Sequence, residues 1–146
     1  MVHDKDFSIL IKDIQREIDK LEEKTYSQKV INEYRNPTHF GSIHHPNGEG
    51  EITGPCGDTM NISLRISNGK IHAARFFTDG CGATVACGNM LTKIVQGQTV
   101  KEALHISTDM LITELDGLPV EHQHCAELAI NALHDALNHY HKKMNP

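Results

Sequence analysis

The sequence predicts an α+β domain built on an antiparallel sheet, with helices before and after the strands. Three observations carry this. Apolar residues recur at steps of three and four in the first 34 residues and again from Val85 onward. Between them, Met60, Ile62, Leu64 and Ile66 alternate with Asn61, Ser63, Arg65 and Ser67, the pattern of a strand with one buried face. Asn68-Gly69 follows directly, a dipeptide suited to the positive φ angles of a two-residue hairpin, so the next strand runs back antiparallel.

Taken in order, Phe7, Leu10, Ile11, Ile14, Ile18 and Leu21 form the apolar stripe of a first helix, with Lys12, Asp13, Arg16, Glu17 and Lys20 on its other face. Tyr26, Val30, Ile31 and Tyr34 continue the period after a break around residues 24–27, and Asn36-Pro37 ends it. A charged amphipathic helix of this kind is expected to be a lid on the core. Residues 36–54 are a Gly- and Pro-rich connection in which His39, His44 and His45 read as solvated loop residues, with Glu51–Thr53 as a short edge strand. The return strand from Lys70 to Thr78 keeps one face only if a residue slips, which predicts a bulge near Ala73. Helical spacing resumes through Val85, Met90, Leu91, Ile94 and Val95, with Gly97 as the stop. Thr99 and Glu102 have capping-box spacing, Ser107 or Thr108 begins another short helix, and Pro119 suits the first turn of a last one reaching Lys143. That helix carries Cys125, Leu128, Ala129, Ala132, Leu133, Ala136, Leu137 and Tyr140 as a stripe broad enough to cover a sheet.

Composition narrows the function. A chain of 146 residues with 38% apolar and 23% charged residues is one ordinary globular domain. The formal charge of −5 argues against a nucleic-acid partner, and no apolar run approaches a membrane span. The first residues resemble neither a signal nor a transit peptide, so the expected compartment is the cytoplasm, where four cysteines read as thiols or ligands rather than disulfides.

Three of those cysteines sit where a ligand can be presented. Cys56 lies in a Gly-Pro-Cys-Gly-Asp turn whose glycines let the backbone wrap closely, with Asp58 two residues on. Cys81 follows Gly80 where a strand hands over to a helix, at the positive end of the helix dipole, which favours the thiolate. Cys125 lies in the first turns of the last helix beside His124; adjacent helical residues point about 100° apart, so these two flank a site without both facing its centre. Three thiolates with either Asp58 or His124 make a four-ligand set suited to zinc or an iron–sulfur cluster. One hard ligand among soft sulfurs holds a cluster loosely, which fits a transient carrier. Cys87, six positions after Cys81, points elsewhere and reads as packing, and His72, His105, His134, His139 and His141 read as surface residues. A zinc hydrolase is disfavoured because no Glu general base stands beside the ligands.

These residues carry a resemblance. Cys56-Gly57-Asp58, Asp79-Gly80-Cys81-Gly82-Ala83 and Leu118-Pro119 leading to His124-Cys125-Ala126-Glu127 resemble, in order, the three ligand motifs of the IscU/NifU N-terminal family of iron–sulfur cluster assembly scaffolds. The similarity spans about residues 33–142, and divides the chain into a helical extension, 1–35, and a scaffold domain, 36–146. It implies a three-stranded antiparallel sheet packed against C-terminal helices, and a protein that is a scaffold rather than an enzyme. It implies ligands Cys56, Cys81 and Cys125, with Asp58 and His124 at the auxiliary positions and Cys125 as the persulfide acceptor. It also implies a transient [2Fe-2S] cluster built from iron and sulfur delivered by a cysteine desulfurase, then passed to recipient apoproteins. Members also hold zinc in the same pocket, so the alternative is a zinc-bound sulfur acceptor that stimulates a desulfurase without holding a cluster.

Three departures bear on this. The family's Leu-Pro-Pro-Val-Lys stretch here reads Leu118-Pro119-Val120-Glu121-His122, which argues against handover through the specialised Hsp70 chaperone. Cys87-Gly88-Asn89 replaces a serine-rich run. The chain lacks NifU's further cysteine-bearing domains and the insertion of the zinc-dependent SufU branch, which points to a stand-alone, IscU-type scaffold.

Overall fold

A computed structural model describes residues 4–145 of the protein. Three strands, β1 (Gly48–Thr53), β2 (Thr59–Ser67) and β3 (Lys70–Thr78), form one antiparallel sheet in the order β1-β2-β3. Helices α1 (Asp4–Thr25) and α2 (Gln28–Arg35) precede it; α3 (Gly82–Val95), α4 (Val100–Leu104), α5 (Thr108–Glu114) and α6 (Gln123–Met144) follow. The expected architecture is therefore the observed one.

The local signals act as their chemistry dictates. Asn68 and Gly69 take φ of 55° and 73°, the left-handed pair of a tight hairpin. Arg65 faces Ala73 while Ile66 faces Ile71, which leaves His72 as the extra residue of a bulge beside Ala73, where the slipped alternation put it. Thr99 and Glu102 form the full capping box, and Ser107 caps α5 through the Met110 N–H. The edge strand begins at Gly48, three residues before the expected start.

The core lies between one sheet face and α3 and α6. Met60, Ile62, Leu64, Ile71 and Phe76 are fully buried there, each large apolar side chain contributing about 1.5–3 kcal/mol relative to exposure. α6 crosses β1 and β2 at very close range. A Cβ on Gly50 would lie 2.3 Å from the Ala136 nitrogen and 2.6 Å from the Ala132 carbonyl oxygen, so only glycine lets the helix backbone settle on the strand. Asp135 and His139 of α6 complete the seam by accepting the Glu51 and Glu49 backbone N–H groups, each at 3.0 Å. His139 is thus a strut of the fold rather than a free surface residue, because the edge strand would otherwise leave that donor without a partner.

Two other expectations need correction. His39 is half-buried: its Nδ1 lies 2.9 Å from the Ala74 carbonyl oxygen and its backbone N–H donates to Asn89, so it ties the connection to β3 and α3. Asn89 in turn donates to the buried Glu33 carboxylate, which also accepts from Lys93 at 2.7 Å, clamping α2 to α3. The α1 stripe is not a lid: none of its residues is buried, and Phe7, Ile11, Ile14, Ile18 and Leu21 stand 44–63% exposed. Its end is tied to α2 by Arg35, which pairs with Asp19 and Glu22. The apolar stripe is left largely uncovered among the described residues, while α2, with Val30 and Ile31 buried, packs beside α3.

Candidate metal centre

β3 ends at Thr78, and Asp79-Gly80 turns the chain into α3, with Cys81 as its N-cap residue in extended conformation. The turn is tight: a Cβ on Gly80 would sit 2.8 Å from Asp58 Oδ2 and 2.7 Å from Thr84 Cβ. Burial pushes the Cys81 thiol up, but donors at the helix start, the Thr84 and Ala83 backbone groups and the Thr84 hydroxyl, hold it below the ordinary thiol value. Its side chain remains exposed.

Thr84, fully buried one turn into α3, is the hub of the site. Its Oγ1 lies 3.2 Å from Asp58 Oδ2, 3.3 Å from Cys125 Sγ and 3.7 Å from Cys81 Sγ. A hydroxyl has one proton to give, so it serves the carboxylate and the two sulfurs in turn.

Cys125 reaches the same point from α6, after a 3-10 turn at Val120–His122 started by Pro119. It is 1% exposed. Burial raises its thiol to about 11, opposed by the Thr84 hydroxyl and reinforced by Cys81, Asp58 and Cys56. The helix dipole does not make this cysteine a thiolate; desolvation outweighs it. His124 stands exposed at the mouth with Nε2 3.7 Å from Cys125 Sγ. Cys56 is exposed in the turn closed by Gly57 N–H to Gly54 carbonyl (3.0 Å) and Gly54 N–H to Asp58 carbonyl (2.8 Å). Beside that turn a cleft of about 230 Å³ is walled by Thr53, Gly54, Pro55, His124 and Leu128. Cys87 is wholly buried in the core, which pushes its thiol well above the ordinary value and leaves it inert, as packing requires.

Of the five residues singled out in the sequence, then, Cys81, Cys125 and Asp58 meet at Thr84 and His124 meets Cys125, while Cys56 stands on the rim. One grouping among the described residues has the mutual spacing of metal ligands: the donor atoms of Cys81, His122 and Cys125 lie within 4.8 Å of one another. Sequence reasoning missed both His122 and Thr84. Their signal was the helical step of three, which sets Thr84 above Cys81 and His122 on the face of Cys125.

A model of the NifU-like N terminal domain matches residues 25–146. The chain belongs to that family. The scaffold proteins for iron-sulfur cluster assembly IscU 1 of Archaeoglobus fulgidus and IscU of Haemophilus influenzae are similar to it. The first is 38% identical over 119 residues, 81% of this chain and 78% of that protein. The second is 37% identical over 123 residues, 81% and 97% of the two. Two solved structures share the fold. A NifU-like N-terminal protein from Brucella abortus gives a TM-score of 0.64 at 17% identity, over 80% of this chain and 94% of that one. A SUF-system scaffold from Fervidobacterium islandicum gives 0.65 at 20%, over 77% and 96%. The family match begins at residue 25, so nearly all of α1 lies before it.

Proposed function

We propose that the protein is a scaffold on which a [2Fe-2S] cluster is assembled and from which it passes to recipient apoproteins, with sulfur supplied by a cysteine desulfurase. The observation that carries this is the convergence of Cys81, Cys125 and Asp58 around one buried hydroxyl, with His124 against the Cys125 sulfur, at strand and helix ends that Cys56 borders, in a chain of this family. Cys56, Cys81 and Cys125 are the sulfur ligands of the cargo, and Asp58 or His124 completes the set. The carboxylate, already hydrogen-bonded to Thr84, is a hard donor whose exchange keeps the cluster transferable.

Cys125 is the sulfur acceptor. It begins as a thiol, held so by burial, and must lose its proton before it attacks. His124 Nε2, 3.7 Å from the sulfur, can take that proton, and the Thr84 hydroxyl stabilises the resulting thiolate. The thiolate then attacks the outer sulfur of the desulfurase persulfide. A new S–S bond forms on Cys125 as the old one breaks, the desulfurase leaves as a thiolate, and no net oxidation occurs.

A second reading has its own support. Two sulfurs and a ring nitrogen within 4.8 Å suit tetrahedral zinc, so the protein would accept sulfur with zinc bound and stimulate the desulfurase. Anaerobic reconstitution with iron, cysteine and a desulfurase separates the two. The scaffold reading expects visible cluster absorption that Cys56→Ala and Cys81→Ala lose. No cluster in the unsubstituted protein, or wild-type behaviour of Cys56→Ala, overturns it; zinc retained together with a faster desulfurase supports the second.

A further inference from the structure

We propose that His122 is a metal ligand of this centre, coordinating through Nδ1, and that Tyr26 is the residue that positions its ring. The inference rests on the zinc-bound reading above, in which Cys81, His122 and Cys125 are the donors; the choice between Asp58 and His124 belongs to the cluster-bound form.

Distance is the first argument. Tetrahedral zinc with bonds of about 2.3 Å to sulfur and 2.0–2.1 Å to nitrogen places its donors roughly 3.6–3.8 Å apart. The Cys81, His122 and Cys125 donors, all within 4.8 Å of one another, need only small side-chain rotations to reach that spacing.

The ring itself is the second. Its Nε2 lies 3.2 Å from the Tyr26 hydroxyl, while its Nδ1 is buried with no hydrogen-bond partner. A buried nitrogen without a partner is costly, and a metal ion held with the Cys81 and Cys125 sulfurs, which lie within 4.8 Å of a ring nitrogen of His122, would satisfy it. If Nε2 carries the proton and donates it to Tyr26 Oη, the Nδ1 lone pair is free to coordinate. This is the division of labour by which a second partner fixes the tautomer of a ligating histidine.

The support behind Tyr26 is the third. Tyr26 sits between α1 and α2, its ring 5.6 Å from that of His122 and edge-on to Tyr34 at 6.2 Å. Tyr34 in turn covers Gly82, where a Cβ would stand 3.3 Å from its ring. Tyr26 before α2 and Tyr34 within it thus pack, ring on ring, onto the His122 side and the Cys81 side of the centre. His124 is placed differently: its ring lies 6.5 Å from that of His122, inclined by 27°, and is exposed, which suits a proton acceptor at the mouth.

The test is zinc binding to the full chain under anaerobic conditions, read in two ways. Long-range ¹H–¹⁵N correlation of the zinc-loaded wild type should show His122 protonated on Nε2 and metal-shifted on Nδ1, with His124 lacking the metal shift. Competition with a chromophoric chelator should show His122→Ala weakening zinc at least as much as the roughly 10- to 100-fold expected for a positioning residue. Tyr26→Phe should fall within that range and scatter the His122 tautomer, with backbone amide spectra confirming that the fold is kept. A metal shift on His124 instead of His122 overturns the inference. So does wild-type zinc affinity in His122→Ala where Cys81→Ala loses the metal, an outcome that leaves the scaffold reading intact. Wild-type affinity in Cys81→Ala and Cys125→Ala as well overturns both.

Discussion

The two sides of the metal centre are built differently. Cys81 and Cys125 are set by regular elements: one is the N-cap of α3, the other is buried in α6, and Thr84 lies within 3.7 Å of both. Cys56 sits in a five-residue turn held by two backbone hydrogen bonds, with its side chain in solvent. A framework that is firm on one side and yielding on the other suits a site that must admit, hold and release its cargo. In the proposed scaffold the firm side fixes where the metal goes, and the rim sets how easily it leaves.

Removing one sulfur from each side should separate the two most widely. Cys125→Ala is expected to abolish zinc retention on a desalting column, whereas Cys56→Ala should weaken it by about 10-fold, some 1.4 kcal/mol. Equal losses would show that the rim holds the metal as firmly as the wall. Thiol chemistry comes next. Near pH 8, Cys81, exposed and held below the ordinary value, should react with iodoacetamide well before Cys125, since a thiol raised to about 11 holds roughly a hundredth of the thiolate of an ordinary cysteine. Raising the pH should speed Cys125 about tenfold per unit until its own titration ends, while Cys81, held below the ordinary value, levels off first. Mass spectrometry of quenched samples reads both.

Gly50→Ala tests the firm side through its support. The added methyl has no room against the Ala136 and Ala132 backbone, so unfolding in urea should show a loss of about 1–3 kcal/mol and a looser Cys125. Thr84→Val keeps the shape and removes the hydroxyl; a loss of about 1 kcal/mol in stability and faster metal release are expected, followed by chelator competition. Smallest of all should be deletion of α1 short of Tyr26. It removes no buried side chain of the described residues; the surface pairs to Arg35, worth about 0–1 kcal/mol, and the Glu22 contacts to Tyr34 and the Tyr26 N–H are lost, so thermal unfolding should move by a few degrees at most.

Most of the fold was legible because short-range signals agreed with one another. The alternation around Met60, the Asn68-Gly69 turn, the slipped register beside Ala73 and the Thr99 capping box each specify their element within a few residues. α1 and α6 mark the limit of that reading. Both are amphipathic helices of 22 residues, yet α6 has nine buried residues and α1 has none. A stripe records that a helix can bury a face, and only the sheet behind Gly50 decides which helix does. In the site, the cysteines were legible from the turns and termini that present them. His122 was not, because a 3-10 turn ahead of α6 brings it round to the face of Cys125, while the eye falls on the adjacent His124. Nor was the state of Cys125: position near a helix start favours the thiolate, but the depth of burial, which opposes it more strongly, appears only once the core is assembled.

If Cys81 and Cys125, with Cys56 on the rim, hold one iron–sulfur cargo, iron and sulfide must arrive together and depend on Cys125. Iron and acid-labile sulfide analysis of anaerobically isolated protein after desulfurase-driven loading reads this directly, on the wild type and on Cys125→Ala. The expected result is about two irons and two sulfides per loaded site in the wild type and neither in the variant. Loading of the variant to the wild-type level, or iron without sulfide in the wild type, would contradict it.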